Sequence, residues 1–339
     1  MKIPDIELAN ISRFRGPIMG AAMLFVILFH VNLSRGDMFY GLRRCGNVGV
    51  DIFLFLSGVG LWYSWTKGGR EGGFWQKTMA FYKRRLVRIY PVWLIMASLF
   101  YIPDYINGGG HSKTLVDLLG DILINWDFWL HDELTFWFIP AIMMLYLVAP
   151  FYMLLIQRHP FYRWLPVVAV VWCVMIQWVI PIHQAVGHIE IFWSRIPIFL
   201  IGINMGQHVK EKQTIDGQGV WLLIIIFLMT FGTSIYLEQV RHGRFPLFVE
   251  RMLYIPFTIT AVLLLNRIFR RTPQWFNAFC AFVGSVSLEA YLIHSNFVLC
   301  HVETLRLGYW PTFLVTVAIT LPLAWLLHTL VNRFTKKLA

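Results

Sequence analysis

The chain has 339 residues, 58% of them hydrophobic and only 14% charged, with a formal net charge of +11. With a mean hydropathy of +0.61, this balance excludes an ordinary soluble domain and a disordered chain, and puts most of the sequence in lipid. The positive charge does not read as a nucleic-acid surface, because it is spread over short segments between apolar runs, where anionic lipid and topology account for it.

A spanning helix needs about 20 apolar residues. The apolar runs predict ten such helices, at about 17–34, 47–66, 88–106, 135–156, 164–182, 190–208, 219–237, 247–265, 279–300 and 311–331. The expected fold class is therefore all-α: a polytopic membrane helix bundle forming one domain over residues 1–339. With the N-terminus in the cytoplasm, the inner segments carry Lys2, Arg13, Arg15, Lys67, Arg70, Lys77, Lys83, Arg84, Arg85 and Arg88. Later inner segments carry Arg158, Arg163, Lys210, Lys212, Arg267, Arg270, Arg271, Arg333, Lys336 and Lys337, so most of the 29 Lys and Arg lie inside. This follows the positive-inside rule and sets both termini in the cytoplasm. The stretch 115–131 is apolar enough for an eleventh span, but Asp117, Asp121 and Asp127 recur within it. A span there would also invert every later loop, so it reads as an amphipathic segment on the outer face. Cys45, Cys173, Cys280 and Cys300 lack CxxC spacing and read as packing residues, with neither a metal site nor a disulfide framework. No cleavable signal peptide is read, since the first apolar run follows a polar 16-residue segment and is long enough to stay as an anchor.

In chain order, the first group able to do chemistry is His30, near the end of the first span. An imidazole titrates near pH 7 and is costly to keep in hydrocarbon without a purpose. Helical rise places it in the outer half, where Asp51, entering the second span from outside, reaches a similar height. A carboxylate there would orient the imidazole and stabilise its protonated form; the alternative is a packing histidine and an interfacial cap. Lys83, Arg84, Arg85 and Arg88 crowd the start of the third span on the inner side. They suit the phosphates of a cytoplasmic donor such as acyl-coenzyme A, or else anchor topology and bind lipid headgroups. The glycines of 68–73 form neither GxGxxG nor a P-loop and read as a tight, mobile turn.

Trp137, ahead of Pro140, reads as an interfacial aromatic. Arg195, near the top of the sixth span, either holds an acceptor oxygen or pairs with Glu190. Tyr291 and His294 lie three apart, on one helix face, while Glu289 points elsewhere and needs an internal partner if charged. Gly16/Gly20 and Gly202/Gly206 are small-xxx-small pairs suited to close helix packing. There is no GxSxG elbow, HExxH, or HxxxxD pair.

These blocks, in this order, resemble acyltransferase family 3, the integral-membrane O-acyltransferases of bacterial surface sugars. The similarity lies in Arg15-Gly16 to His30, Gly49-Val-Asp51-Ile-Phe through Ser57-Gly58, and Phe81-Tyr-Lys-Arg84-Arg85-Leu-Val-Arg88-Ile-Tyr90-Pro91. It continues in Phe136-Trp137 through Tyr146 and Pro150, and in Ser287 through Tyr291-Leu-Ile-His294. Two features depart from the pattern: Arg15 and His30 are about one turn further apart, and Ala141-Ile142 stand where many members carry an acid. The resemblance implies transfer of an acyl group, acetyl by default, from acetyl-CoA or another acyl-CoA to a hydroxyl of a glycan or lipid-linked saccharide, in the bacterial inner membrane. It implies His30 as general base with Asp51 orienting it, and Arg15, Ser57, Arg84, Arg85 and Arg88 toward the donor. Trp137, Arg195, Tyr291 and His294 are expected toward the acceptor, with no metal and no nucleic-acid partner. Transfer is either direct or through an acyl-imidazole. The reading from a different class, a sugar transporter or flippase, calls for repeat symmetry that the sequence lacks.

Overall fold

The computed structural model describes residues 5–67 and 73–335. Among these the only strands are Ile6–Glu7 and Thr214–Ile215, an antiparallel pair. The protein is an all-α, multi-pass membrane bundle: seven described helices are long and apolar enough to cross a bilayer, or nine if two bent pairs each count as one span. We label the helices that matter here α1 (Arg15–His30), α2 (Val48–Lys67), α3 (Phe74–Ile106), α4 (Leu115–Ile124) and α5 (Trp126–Leu130). They are followed by α6 (Phe138–Arg158), α7 (Leu165–Trp178), α8 (Ile196–Lys210), α9 (Gly217–Gln239) and α10 (Leu247–Phe269). The last are α11 (Gln274–Ser285), α12 (Ser287–Ile293) and α13 (Tyr309–Thr335). Of the basic residues assigned to inner segments, Lys2, Arg70, Lys336, Lys337 and the Lys67 side chain lie outside the described residues, as do the glycines of 68–72.

The element ends have local causes. The first apolar run was expected to reach 34, but α1 stops at His30 because Val31 takes an extended conformation (φ −58°, ψ 130°). At 16 residues, α1 is about 24 Å long, short for the hydrocarbon core. The run 190–208 is interrupted before α8, in a pair bent by 41°. Pro197, in the first turn of α8, has no N–H with which to continue the preceding helix. The run 279–300 bends by 63° between α11 and the helix that starts at Ser287. There the Ser287 hydroxyl donates to the Gly284 carbonyl (2.9 Å), competing with the helical ladder.

Both glycine pairs mark close crossings. A Cβ at Gly20 would overlap the Cys280 carbonyl, and one at Gly284 the Gly16 carbonyl, so α1 and α11 meet backbone to backbone. Gly202 of α8 meets the Phe55 backbone of α2 in the same way.

The segment 115–131 forms α4 and α5, joined at Asn125 in the left-handed region (φ 52°). Neither helix can cross a bilayer. The segment is amphipathic as expected, and its acidic side packs inward. Leu115, Val116, Leu119, Leu123 and Ile124 are exposed, whereas Asp121 and Asp127 are buried. Asp117 closes a capping box with Thr114. Asp121 accepts from the Ser112 hydroxyl (2.6 Å) and the Asp127 N–H (2.9 Å), and burial pushes its carboxyl above the ordinary range. The acids staple the segment to itself, leaving its apolar face to lipid.

Candidate active site

Three cavities adjoin one another through the bundle. The first, about 540 Å³, is lined by Lys83, Arg84, Arg85 and Arg88 of α3 and by Glu289, His328 and Asn332 of α12 and α13. The second is narrow, about 70 Å³, and is lined by Arg15, Ser57, Arg85, Arg88, Tyr146 and Tyr291 among others. The third, about 280 Å³, is lined by His30, Glu133, Trp137, Tyr291 and His294. Arg85 and Arg88 border the first two, and Tyr291 borders the second and third.

Helical spacing puts Arg84, Arg85 and Arg88 within one turn of α3. Arg15 reaches the middle cavity from the first residue of α1, and Gly60 of α2 leaves it room: an added Cβ there would lie 3.4 Å from the guanidinium. Arg13, the rival for this role, is instead exposed, with its guanidinium 5.3 Å from the Phe14 ring centre. No described carboxylate lies within 4.0 Å of Arg15, Arg84, Arg85 or Arg88. Arg85 rests between the Phe81 and Tyr146 rings, at 5.5 and 5.6 Å. The Nε atoms of Arg15 and Arg85 are buried without a hydrogen-bond partner. Setting the partly buried Arg15 and Arg85 side by side is costly unless something anionic joins them, while Arg84 and Arg88 are exposed at the mouth of the first cavity.

At the other end, His30 Nδ1 lies 2.8 Å from the Val26 carbonyl oxygen and 3.3 Å from His294 Nε2. His294 is buried, with Nδ1 2.8 Å from the Tyr291 carbonyl oxygen and 3.1 Å from that of Ala290. One wall of the chamber is the segment 133–137, in which Phe136 takes positive φ (56°), as does Asp132 just before it (59°). Asn125 holds this wall: its Nδ2 donates to the Thr135 carbonyl (2.7 Å), and its Oδ1 accepts from the Tyr101 hydroxyl (3.1 Å). Tyr291 fixes the start of α6 by accepting the Phe138 N–H at 3.3 Å.

The expected Asp51–His30 contact does not form. Asp51 Oδ1 lies 3.2 Å from Arg195 Nε, and both residues are buried away from the three cavities. Depth in the bilayer says nothing about the direction in which a helix points its side chains, and Asp51 faces α8. Arg195 therefore pairs with neither an open cavity nor Glu190, which binds Arg251 at 3.0 Å; its guanidinium sits 6.0 Å from the Trp137 ring and 5.9 Å from that of Tyr254. Glu289 has the internal partner it needs, His328 Nδ1 at 2.7 Å, with Asn332 Nδ2 2.8 Å from His328 Nε2. His328 was not singled out from the sequence, although its position inside the last apolar run was the available signal. The four cysteines are unpaired.

A family model described as an acyltransferase domain matches residues 20–329. No curated protein and no solved structure matches the chain.

Proposed function

Since the chain belongs to the acyltransferase 3 family and is a membrane-embedded acyltransferase, we propose that it moves an acyl group, acetyl in the simplest case, from acyl-coenzyme A to a hydroxyl of a glycan or lipid-linked saccharide. In this reading it is a bacterial inner-membrane enzyme, with donor on the cytoplasmic side and acceptor on the other, as the distribution of Lys and Arg favours. The observation that carries the donor assignment is the set of arginines with no carboxylate partner among the described residues, Arg15, Arg84, Arg85 and Arg88, around cavities that adjoin the His30 chamber. Guanidinium groups free of protein acids suit phosphate oxygens, to which they can donate in pairs. Arg15 and His30 stand at opposite ends of α1, about 22 Å apart by helical rise. A donor gripped at the arginines must therefore reach the imidazole with a long, thin arm. The narrow middle cavity, lined by Ser57 and Tyr146, suits the pantetheine arm of coenzyme A.

The reaction follows from His30. Its Nε2 takes the proton of the acceptor hydroxyl as the oxygen attacks the thioester carbonyl. The C–O bond forms, the C–S bond breaks, and the departing thiolate recovers the proton from the imidazolium. Trp137 and Tyr291 shape the acceptor end. Asp51 and Arg195 serve the frame that holds Trp137, with no part in the proton transfer.

The test uses purified protein in lipid nanodiscs with acyl-coenzyme A, followed by mass spectrometry of cell-surface glycans with and without the gene. His30→Ala should leave a folded, inserted protein that transfers no acyl group, and Arg85→Ala with Arg88→Ala should raise the KM for the donor at least tenfold. Transfer by the His30 variant would overturn the assignment of the base. An unchanged donor KM would overturn that of the phosphate grip.

A further inference from the structure

His30 has the wrong neighbour for an ordinary acid–base pair. No described carboxylate lies within 4.0 Å of its ring, and the group that meets it is a second imidazole, with ring centres 4.8 Å apart and planes crossed at 78°. We propose that His294 is the positioning residue that holds His30 in its Nδ1–H form, standing where a carboxylate would usually stand. This rests on His30 being the base.

The assignment follows from which nitrogens can carry protons. His294 Nδ1 faces two carbonyl oxygens, those of Tyr291 and Ala290. A carbonyl oxygen only accepts, so Nδ1 carries the hydrogen, and in the neutral ring Nε2 is left with a lone pair. That lone pair faces His30 Nδ1. His30 Nδ1 also faces the Val26 carbonyl oxygen, so both groups around it accept, and it too carries the hydrogen. The reverse assignment sets bare nitrogens against three carbonyl oxygens at once. Protonating both rings sets two N–H groups head to head at 3.3 Å. One arrangement therefore satisfies every contact: His294 donates to its own backbone and accepts from His30, whose Nε2 is the unprotonated nitrogen. Among the described residues nothing hydrogen-bonds that Nε2, and the ring lines the third cavity.

The backbone supports this role. His294 opens the π-helical turn His294–Leu299, a local widening that recurs at functional positions. It lies about two turns past the 63° bend, which turns α12 toward α1. A neutral imidazole accepts the Nδ1–H without placing a full negative charge in the bundle. When His30 gains a proton at Nε2, its Nδ1–H still has this acceptor, so the ring need not turn before it returns the proton.

The experiment reads the tautomer directly and the kinetics separately. ¹⁵N spectra of histidine-labelled protein in nanodiscs, assigned with the His30→Ala variant, should show His30 protonated at Nδ1 and bare at Nε2. His294→Phe keeps the ring and removes the acceptor. It should let the second tautomer appear and lower kcat about tenfold or more, with the KM for acyl-coenzyme A changed less than twofold. His294→Glu supplies a charged acceptor and should recover most of kcat. It should also move the acidic limb of the kcat/KM profile up by about one pH unit or more, because a nearby anion favours the imidazolium; Glu133, in the same chamber, is present in every variant. An Nε2–H tautomer in the unaltered protein, or a His294→Phe protein with full kcat and an unshifted profile, would overturn the proposal. If His294→Phe fails to fold, the wild-type spectrum still decides. Transfer surviving in His30→Ala would instead sink the base itself, a separate outcome.

Discussion

Among the charged side chains inside the bundle, Asp51 and Arg195 are the pair whose loss should be felt in folding more than in chemistry. Both are buried, and removing one partner of such a pair strands the other's charge. Asp51→Asn should therefore cost about 3–5 kcal/mol, read as a lower thermal midpoint in nanodiscs, while activity per folded molecule stays near that of the parent. Activity loss without loss of stability would return Asp51 to the reaction. The sequence placed His30 and Asp51 at one depth but could not say which helix each would face. The clue to the actual partner was steric: Gly58 on α2 and Gly202 on α8 are small residues on the two helices that approach closely, with Asp51 and Arg195 near the entry of each. The arginines of α3 were legible because three in five residues must share a side. That no described carboxylate pairs with them was not, since Glu289 lines the same cavity and is satisfied instead by His328 on a helix far along the sequence.

At the scale of helices, the α1–α11 crossing sets where His30 can stand. Gly20→Ala would drive a methyl into the Cys280 carbonyl, and separating the two backbones should cost about 1–3 kcal/mol, measurable in the same melting assay. Gly36, which has nothing within 4 Å, is the control and should tolerate alanine. The apolar runs located the helical segments because length and hydropathy are local properties. The bends at Arg195 and Val286 depend on a proline, a serine side chain and tertiary contact, so they did not appear as gaps in hydropathy. Where the acids of α4 find their partners was invisible for a related reason. A periodic row of aspartates looks alike whether it meets water or its own backbone, and only the fold supplies Ser112 and the Asp127 N–H.

For the whole molecule, the order of the cavities predicts that binding and transfer can be separated. Ser57 lines the middle cavity but not the basic one. Ser57→Phe should fill much of its roughly 70 Å³, abolishing transfer while coenzyme A itself, which needs only the arginines for its phosphates, still binds within about threefold of the parent affinity. Equilibrium binding beside the transfer assay distinguishes this from unfolding, and equal loss of both would refute a donor that threads from one cavity into the next.

One further property follows from α3. It runs 33 residues without a break, about 50 Å by helical rise, well beyond the roughly 30 Å of hydrocarbon it must cross. Such a helix must lean or jut out, and the thickness of the surrounding lipid settles how much of each. Because its guanidinium groups sit a third of the way along, their height relative to the headgroups should follow that compromise. The enzyme's grip on its donor should then vary with acyl-chain length, tighter in some host membranes than in others, with no change in a single amino acid.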